Sequence, residues 1–275
     1  MGFANDMHMR WIFDVGELLH PNGENNTVEV TIEPATAYAQ RQAAAQGDPQ
    51  CKKHTRNYWP EKWGHKTQCS GYVRKNTGSF GWDCAPAYVS AGIWKSVWLR
   101  ATDGAAIDMV SPQISGTIDD EANPESANSF AVAVRVFMDV VTTSGGATLS
   151  VTGSWSVAAS VSKQISLHPT STGGAPQQET LQLTAKDVAL WWPNGHGPST
   201  QALHNLTTTL TLEDGSSSSV TQRIGFRTFS FVGSVGNRTE RWGEGNASLF
   251  FKVNGSPMFA KVLHFPLPPP RSPSA

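Results

Sequence analysis

The hydrophobic and polar positions of this chain alternate in short runs, which predicts β-strands rather than long helices. Thr27–Ile32 (TVEVTI) places an apolar residue at every second position, the period of a strand with one buried face. Arg10–Val15 is an earlier apolar run, and the turn signal Asn22–Gly23 separates the two segments. They are therefore predicted to be consecutive strands.

Residues 36–67 break this pattern, because they are polar and irregular. The one helical indication in that stretch is Ala37–Ala45. The sequence therefore predicts a long surface loop here, and loops of this length in compact domains are commonly functional or disordered. Strand-sized segments resume after it, at Tyr72–Lys75, Tyr88–Val89 and Val97–Ala101.

From Ala106 onwards the composition shifts towards Val, Ser, Thr and Ala, with short strands at regular intervals. About seven such strands separated by turns are typical of an immunoglobulin-like β-sandwich. The chain then offers further strand candidates and a Pro-rich end from His264 to Ala275 that is predicted to be extended or disordered. The predicted strands are Ala131–Val141, Ala147–Val151, Ser154–Val161, Glu179–Leu183, Thr207–Leu212, Ser219–Arg223, Arg227–Val232, Leu249–Val253 and Pro257–Lys261.

Composition and charge exclude several classes of function. The net charge of the 275 residues is −1, so no basic surface indicates nucleic acid as a partner. No run of 18 apolar residues occurs, so no membrane partner is predicted. The eight histidines are dispersed, and no metal or cofactor motif is present. We therefore predict no metal and no cofactor.

The cysteines and glycosylation sequons point to a secretory route. Five Asn-X-Ser/Thr sequons are consistent with a lysosomal or secreted protein, and a disulfide between Cys51 and Cys69 would fit that route and leave Cys84 free. The first 19 residues contain no apolar core of a signal peptide, so the chain is expected to begin after its leader. The sequons are at Asn25, Asn205, Asn237, Asn246 and Asn254.

Phe80-Gly81-Trp82-Asp83-Cys84-Ala85-Pro86 is the segment richest in chemical information. A tryptophan ring can stack on the C–H face of a sugar, and a neighbouring carboxylate can accept two hydroxyl hydrogen bonds. A structural role is the alternative, with Trp82 packed under a turn and Asp83 capping backbone N–H groups. Spacing alone favours the structural role.

An ordered set of motifs resembles the β-mannosidases of glycoside hydrolase family 2. Arg74-Lys75 is followed by Phe80-Gly81-Trp82-Asp83 and then by Ser90-Ala91-Gly92-Ile93-Trp94-Lys95-Ser96-Val97. The resemblance implies that Trp82, Asp83 and Cys84 contact a terminal β-mannoside sugar. The family has a second Trp where this chain has Cys84, and Gly where it has Ala85.

The same resemblance extends along the chain and defines the expected domains. The early strands resemble part of a galactose-binding-like jelly roll, Leu190–Pro198 resembles the family's W-W-P-N-G motif, and Ile224–Thr228 resembles the strand that closes the next domain. The expected fold class is all-β: an incomplete jelly roll at 1–103 with the loop 36–67, and an immunoglobulin-like sandwich at 104–233. Residues 234–275 are expected to be a linker, the start of a first barrel strand and an aberrant tail.

The resemblance also implies that the chain is inactive alone. The family's two catalytic glutamates lie on a barrel that is expected to be missing here, and no Asn-Glu dipeptide occurs in the chain. A frameshift or splicing error would explain the tail after Lys261. The acidic run Asp119-Asp120-Glu121 is interpreted as a solvated turn. The function expected is thus a fragment of an enzyme that hydrolyses terminal non-reducing β-D-mannose.

Three alternatives remain open at this stage. The chain could be a stand-alone carbohydrate-binding module, a fragment of another family 2 glycosidase of the β-galactosidase or β-glucuronidase type, or a structural protein. The twin tryptophans Trp191 and Trp192 could form a lectin platform, although structural packing against the neighbouring domain is the favoured role for them.

Overall fold

The computed structural model describes residues 2–20, 25–51, 69–81, 87–142, 145–156, 159–170, 175–198, 200–233 and 249–258. They divide into two compact units, one ending at Leu99 and one beginning at Arg100. The second unit contains antiparallel sheets built from ten strands, whereas the described residues include one α-helix. The predicted all-β class is confirmed.

Helix α1, Ala35–Ala45, is the main regular element described in the first unit. Its alanine content favours a helix, and Ala39 and Ala43 lie one turn apart on a face that is fully buried. The helix ends in a Schellman motif, in which Gly47 at a φ of 71° donates to the carbonyl of Ala44 and Asp48 to that of Ala43. Short 3-10 turns follow at Ser70–Tyr72 and Thr77–Phe80, with another earlier at Gly16–Leu18.

A small core fixes α1 in the first unit. A disulfide joins Cys51 to Cys69, with their Cα atoms 5.2 Å apart, and both half-cystines are buried with Ala39, Ala43 and Tyr72. The Tyr72 hydroxyl donates to the buried carboxylate of Asp48 at 2.7 Å. Burial, followed by this hydrogen bond, raises the pKa of Tyr72 to about 12.

The strands predicted for the first unit are not formed in the described residues. Thr27–Ile32 and Arg10–Val15 have no strand partner there, and the apolar side chains of the former are largely exposed. A strand needs a neighbour to satisfy its backbone groups, which explains why alternation alone does not produce one. Of the predicted loop 36–67, the part from 36 to 45 is helical, and 52–67 lies outside the described residues. The later segments 72–75, 88–89 and 97–101 contain one isolated bridge, Arg74 to Asp6.

The second unit is a two-sheet sandwich. Strand β2, Asn128–Val140, has one face that is suited to such a core. Phe130 and every second residue after it up to Val140 are buried, while the residues between them are not. Sheet β1-β2-β5 faces sheet β4-β3-β6-β7, and one continuous core lies between them. The other strands are β1 Ala105–Ile118, β3 Gly146–Gly153, β4 Ser160–Ser166, β5 Gln177–Lys186, β6 His204–Leu212 and β7 Ser217–Ile224.

Two edge strands differ from the prediction. β1 was not predicted, because Pro112 and several small polar residues interrupt its apolar pattern; an edge strand tolerates proline because one side of its backbone needs no partner. The predicted strand Ser154–Val161 is wrong in position. The chain turns at Ser154–Trp155, where Trp155 Nε1 donates to the carbonyl of Thr184 at 3.2 Å, and β4 begins only at Ser160.

A third antiparallel sheet, β10-β9-β8, completes the second unit. It consists of β8 Phe229–Gly233, β9 Leu249–Val253 and β10 Ser256–Met258. The predicted turn Asn254–Gly255 joins β9 to β10, and both residues have positive φ, 51° and 78°, as a type I′ hairpin turn requires. The predicted domain limit at 233 separates β8 from β9, which the structure pairs; the other domain limits stay predictions.

Candidate functional site

The predicted sugar contacts Trp82, Asp83 and Cys84 lie outside the described residues. The chain immediately before them is described. Asn76 caps the 3-10 turn Thr77–Phe80 by accepting a hydrogen bond from the Gly78 amide at 2.9 Å, and Phe80 is buried. Gly81 ends the turn at a φ of 102°, a conformation that favours glycine. The glycine of the F-G-W-D motif therefore allows the backbone conformation that ends this turn.

The chain after the motif is also described, and its aromatic side chains are exposed. Trp94 is 66% exposed and Trp98 is 85% exposed. The ammonium group of Lys95 lies 4.6 Å from the centre of the Trp94 ring, a cation–π contact worth about 0.5–1 kcal/mol at an exposed site. Ser90–Val97 forms no strand. Two large, accessible rings therefore follow the F-G-W-D motif along the chain.

Trp192 is buried and anchors the W-W-P-N-G motif. It is 2% exposed, and its indole Nε1 donates to Glu125 Oε1 at 2.7 Å. The other oxygen of Glu125 accepts from the Leu190 amide at 3.0 Å. A buried indole needs such a partner, and the carboxylate supplies a strong, charged acceptor. Trp192 therefore packs in the core of the sandwich and does not form a lectin platform; packing of the twin tryptophans against the neighbouring domain stays a prediction.

Trp191 connects the sandwich to the third sheet. The guanidinium of Arg227 lies 4.7 Å from the centre of the Trp191 ring. The Trp191 carbonyl accepts a hydrogen bond from Asn254 Nδ2 at 3.1 Å, and Asn254 Oδ1 accepts from the Thr228 amide at 2.9 Å. Asn254 is fully buried. The sequence predicted the turn at Asn254 but gave no signal for its side-chain role, which depends on contacts more than 25 residues away.

Beside Trp192 lies a cleft of about 380 Å³ that contains two carboxylates. Glu125 is bonded as described, and Glu121 forms an ion pair with Lys252 at 2.8 Å. Hydrogen bonds from the Asn123 side chain and then the Ala122 amide lower the pKa of Asp120. The acidic run therefore forms a hydrogen-bonded turn. The cleft is lined by Glu121, Ala122, Asn123, Pro124, Glu125, Ser126, Trp192, Pro198 and Ser256.

Three of the five sequons fall on described residues, and they differ in burial. Asn25 and Asn205 are exposed, whereas Asn254 is buried. Asn237 and Asn246 lie outside the described residues. Because Asn254 has no exposed surface, the folded turn leaves no room for a glycan on its nitrogen.

Other site types are absent from the part of the chain that the structure describes. No group of three or more His, Cys, Asp or Glu side chains could hold a metal ion there. Among those same residues, no helix has the length and hydropathy needed to cross a membrane.

Comparisons with known proteins give the class of this chain. Residues 1–95 match the profile of the glycosyl hydrolase 2 galactose-binding domain-like family, and residues 117–227 match glycosyl hydrolases family 2. The two matches together cover most of the chain. It belongs to glycosyl hydrolase family 2 and carries two of the family's N-terminal β-domains.

The similar curated proteins include several β-mannosidases. The chain is 27% identical to the β-mannosidase of Rattus norvegicus over 272 residues, covering 95% of this chain and 27% of that protein. It is also 27% identical to β-mannosidase B of Aspergillus terreus over 259 residues, covering 93% of this chain and 26% of that protein. The chain thus resembles β-mannosidases and spans about a quarter of their length.

One solved structure shares the fold. The crystal structure of the β-D-mannosidase from Dictyoglomus thermophilum superposes with a TM-score of 0.58 and 23% identity, covering 81% of this chain and 24% of that chain. The predicted resemblance to β-mannosidases is therefore confirmed, and the predicted galactose-binding-like domain and sandwich agree with the two family matches.

Proposed function

We propose that this chain provides the non-catalytic, N-terminal β-domains of a β-mannosidase. The observation that carries this proposal is the similarity to β-mannosidases along 95% of the chain, which includes the ordered motifs around Phe80–Asp83. The substrate proposed for the whole enzyme is a terminal, non-reducing β-D-mannose residue of an oligosaccharide, and the compartment proposed for it is the lysosome or the cell exterior.

In this proposal the ring of Trp82 stacks on the mannose and the carboxylate of Asp83 accepts hydrogen bonds from its hydroxyl groups. The exposed rings of Trp94 and Trp98, which follow the motif along the chain, are consistent with a sugar-binding role for this part of the first unit. Cys84 adds a smaller and weaker third contact, because a thiol offers neither the stacking area of an indole nor its N–H donor.

The chain is proposed to be inactive by itself. Retaining glycosidases need two carboxyl groups about 5–5.5 Å apart, one as nucleophile and one as acid and base. In the β-domains, the carboxylates Glu121 and Glu125 are engaged by Lys252 and by the Trp192 indole with the Leu190 amide. These roles are structural, which supports a separate location for the catalytic pair.

We also propose that the sandwich is immunoglobulin-like. Its first, second and fifth strands share one sheet, and its third, sixth and seventh strands share the other. Immunoglobulin domains distribute their strands in this way; here the fourth strand joins the second sheet.

A chimera tests the function directly. The chain replaces the matching N-terminal part of the Dictyoglomus thermophilum enzyme, and hydrolysis of an aryl β-mannoside is measured. The chimera is expected to be active, and Asp83→Ala is expected to lower kcat/KM by about 10–100-fold, the loss of a charged hydrogen bond worth about 1.5–3 kcal/mol. Asp103→Ala, which changes an exposed carboxylate of the second unit, is the matched control.

The isolated chain provides the complementary measurement. It is expected to give no turnover of the aryl β-mannoside and only weak binding in a calorimetric titration with mannose. Turnover by the purified chain would contradict the assignment of catalysis to another domain. Strong binding that is lost in Asp83→Ala would favour a stand-alone carbohydrate-binding module instead.

A further inference from the structure

Asn205 lies on a sheet face that is polar throughout. In β6, Leu206, Thr208, Leu210 and Leu212 point into the core, so Asn205, Thr207, Thr209 and Thr211 point outwards. Among the residues that the structure describes, none forms a hydrogen bond with the Asn205 side-chain amide, and the residue is exposed. Its nitrogen is therefore accessible in the folded unit.

The neighbouring strands extend this polar surface, which we call the hydroxyl face. The Thr207 hydroxyl lies 2.9 Å from that of Thr221, and the Thr209 hydroxyl lies 3.1 Å from that of Ser219. Each hydroxyl has one proton and two lone pairs, so these pairs retain capacity for further hydrogen bonds. The hydroxyl face comprises Thr148, Ser150, Thr152, Ser160, Ser162, Gln164, Asn205, Thr207, Thr209, Thr211, Ser217, Ser219 and Thr221.

This surface suits a covalently attached sugar chain. It contains no apolar side chain that a bulky polar group would have to dehydrate, and its hydroxyls are compatible with sugar hydroxyl and acetamide groups as hydrogen-bond partners. The residue paired with Asn205 on β7 is the exposed Arg223, whose long side chain can move aside. The threonine that the sequon requires, Thr207, is on the same face.

Asn254 has the opposite environment, although its sequon Asn254-Gly255-Ser256 is equally complete. Its two side-chain hydrogen bonds, to the Thr228 amide and the Trp191 carbonyl, use both amide heavy atoms. Its backbone amide also donates to the Thr228 carbonyl at 3.1 Å. A glycan on Nδ2 would introduce a large polar group into a site with no exposed surface and would replace one of the two protons of the nitrogen that donates to Trp191.

We propose that Asn205 carries an N-linked glycan in the secretory pathway and that Asn254 remains unmodified because it is a structural residue of the hairpin turn. In the reaction, Nδ2 of Asn205 forms a bond to C1 of the first N-acetylglucosamine of a lipid-diphosphate-linked oligosaccharide. The bond from C1 to the diphosphate oxygen breaks, the lipid diphosphate leaves with the bonding electrons, and Nδ2 loses one proton.

The test expresses the full chain behind a cleavable secretory leader in mammalian cells. The secreted protein is treated with peptide N-glycosidase in ¹⁸O water, which converts each glycosylated asparagine to labelled aspartate, and peptides are mapped by mass spectrometry. We expect label at position 205 and none at position 254. Thr207→Ala, which leaves Asn205 in place but removes the sequon, should abolish the label at 205.

Two variants separate the structural role of Asn254 from a glycan-bearing role. Ser256→Ala removes the second sequon but keeps the Asn254 side chain, so glycosylation and secretion should be unchanged. Asn254→Gln should reduce secretion and thermal stability, because a longer side chain cannot make both hydrogen bonds in this turn. Absence of label at 205, or label at 254 that exceeds the label in a control incubated without the glycosidase, would falsify the proposal. Neither result affects the proposed role in β-mannoside hydrolysis, which the chimera tests separately.

Discussion

The two units contain similar alternating sequences that have different structures. In the first unit, Thr27–Ile32 leaves Val28 85% exposed and Val30 56% exposed. In the second unit, the alternating valines of β2, including Val134 and Val136, are fully buried between two sheets. Both segments have apolar residues, valine among them, at every second position. The difference is the presence of a paired strand on each side of β2, namely β1 and β5.

This comparison shows that alternating apolar and polar residues do not by themselves form a β-strand, which also needs a paired neighbour. A buried valine side chain contributes about 1.5–3 kcal/mol relative to an exposed one, and the backbone must also be hydrogen-bonded. β2 obtains both from its neighbours, whereas Thr27–Ile32 obtains neither within the described residues. Mutations that create cavities should therefore affect the two units very differently.

The largest effect is expected for Leu149→Ala in β3. Leu149 is fully buried, and such a truncation costs about 2–5 kcal/mol of unfolding free energy through lost burial and a residual cavity. The matched change Val30→Ala, at a side chain that is largely exposed, should cost less than about 0.5 kcal/mol. Urea unfolding of the full chain carrying each substitution, followed by tryptophan fluorescence, measures both. Equal effects would contradict the difference drawn between the units.

Removal of the disulfide should destabilise only the first unit. Cys51 and Cys69 are separated by 18 residues, and cross-linking a loop of this length stabilises a fold by about 3 kcal/mol in the chain-entropy model. In the double variant Cys51→Ser/Cys69→Ser, helix α1 should lose its hydrogen-exchange protection while β2 and β3 keep theirs. Loss of protection in both units at once would show that they unfold together.

A smaller effect is expected from Glu125→Ala at the W-W-P-N-G motif. The variant leaves the Trp192 indole N–H and the Leu190 amide without their acceptor, at a cost of about 1–3 kcal/mol. Glu121→Ala is the control, because it removes an ion pair in which Glu121 is 59% exposed and should cost at most about 1 kcal/mol. Thermal unfolding in low and high salt measures both; the Glu121 effect alone should decrease with salt.

The smallest effect concerns high pH and the first unit. The folded state raises the pKa of Tyr72 from 10.0 to about 12, so it holds the phenol proton more tightly than the unfolded state does. The resulting stabilisation is complete below pH 10 and is lost as the pH rises from about 10 to about 12. The circular dichroism of helix α1 should decrease over this range, and Tyr72→Phe should remove that component. A helix signal that falls equally in both proteins would show that another group is responsible.

The sequence predicted most strands of the second unit. The predicted segments correspond to the central strands β2, β3 and β6 and to the edge strands β5 and β7, because burial on one face produces a two-residue period. The edge strand β1 was missed because Pro112 and small polar residues interrupt its apolar pattern. The edge strand β4 was misplaced because Ile165 is the one buried residue among its seven.

For the candidate site, the sequence identifies the motif, whereas the structure is needed to find the long-range hydrogen bonds. The motif Phe80–Asp83 and its relation to β-mannosidases can be recognised from residue order alone. The structural roles of Glu125, Asn128 and Asn254 could not be predicted, because each depends on hydrogen bonds to residues between 26 and 67 positions away. No local pattern encodes such pairings, and only the folded chain brings them together.

The hydrogen bonds of Asn128 have a consequence for folding kinetics. Its side chain joins Val188, 60 residues further along the chain, through two hydrogen bonds of 3.0 and 3.1 Å. The hairpins β3–β4 and β6–β7 close short loops, whereas this junction must close a long one at a higher entropic cost. We therefore expect the hairpins to form early and the β2–β5 junction late, with an overall folding time of milliseconds to seconds, as is typical of sandwiches with high contact order.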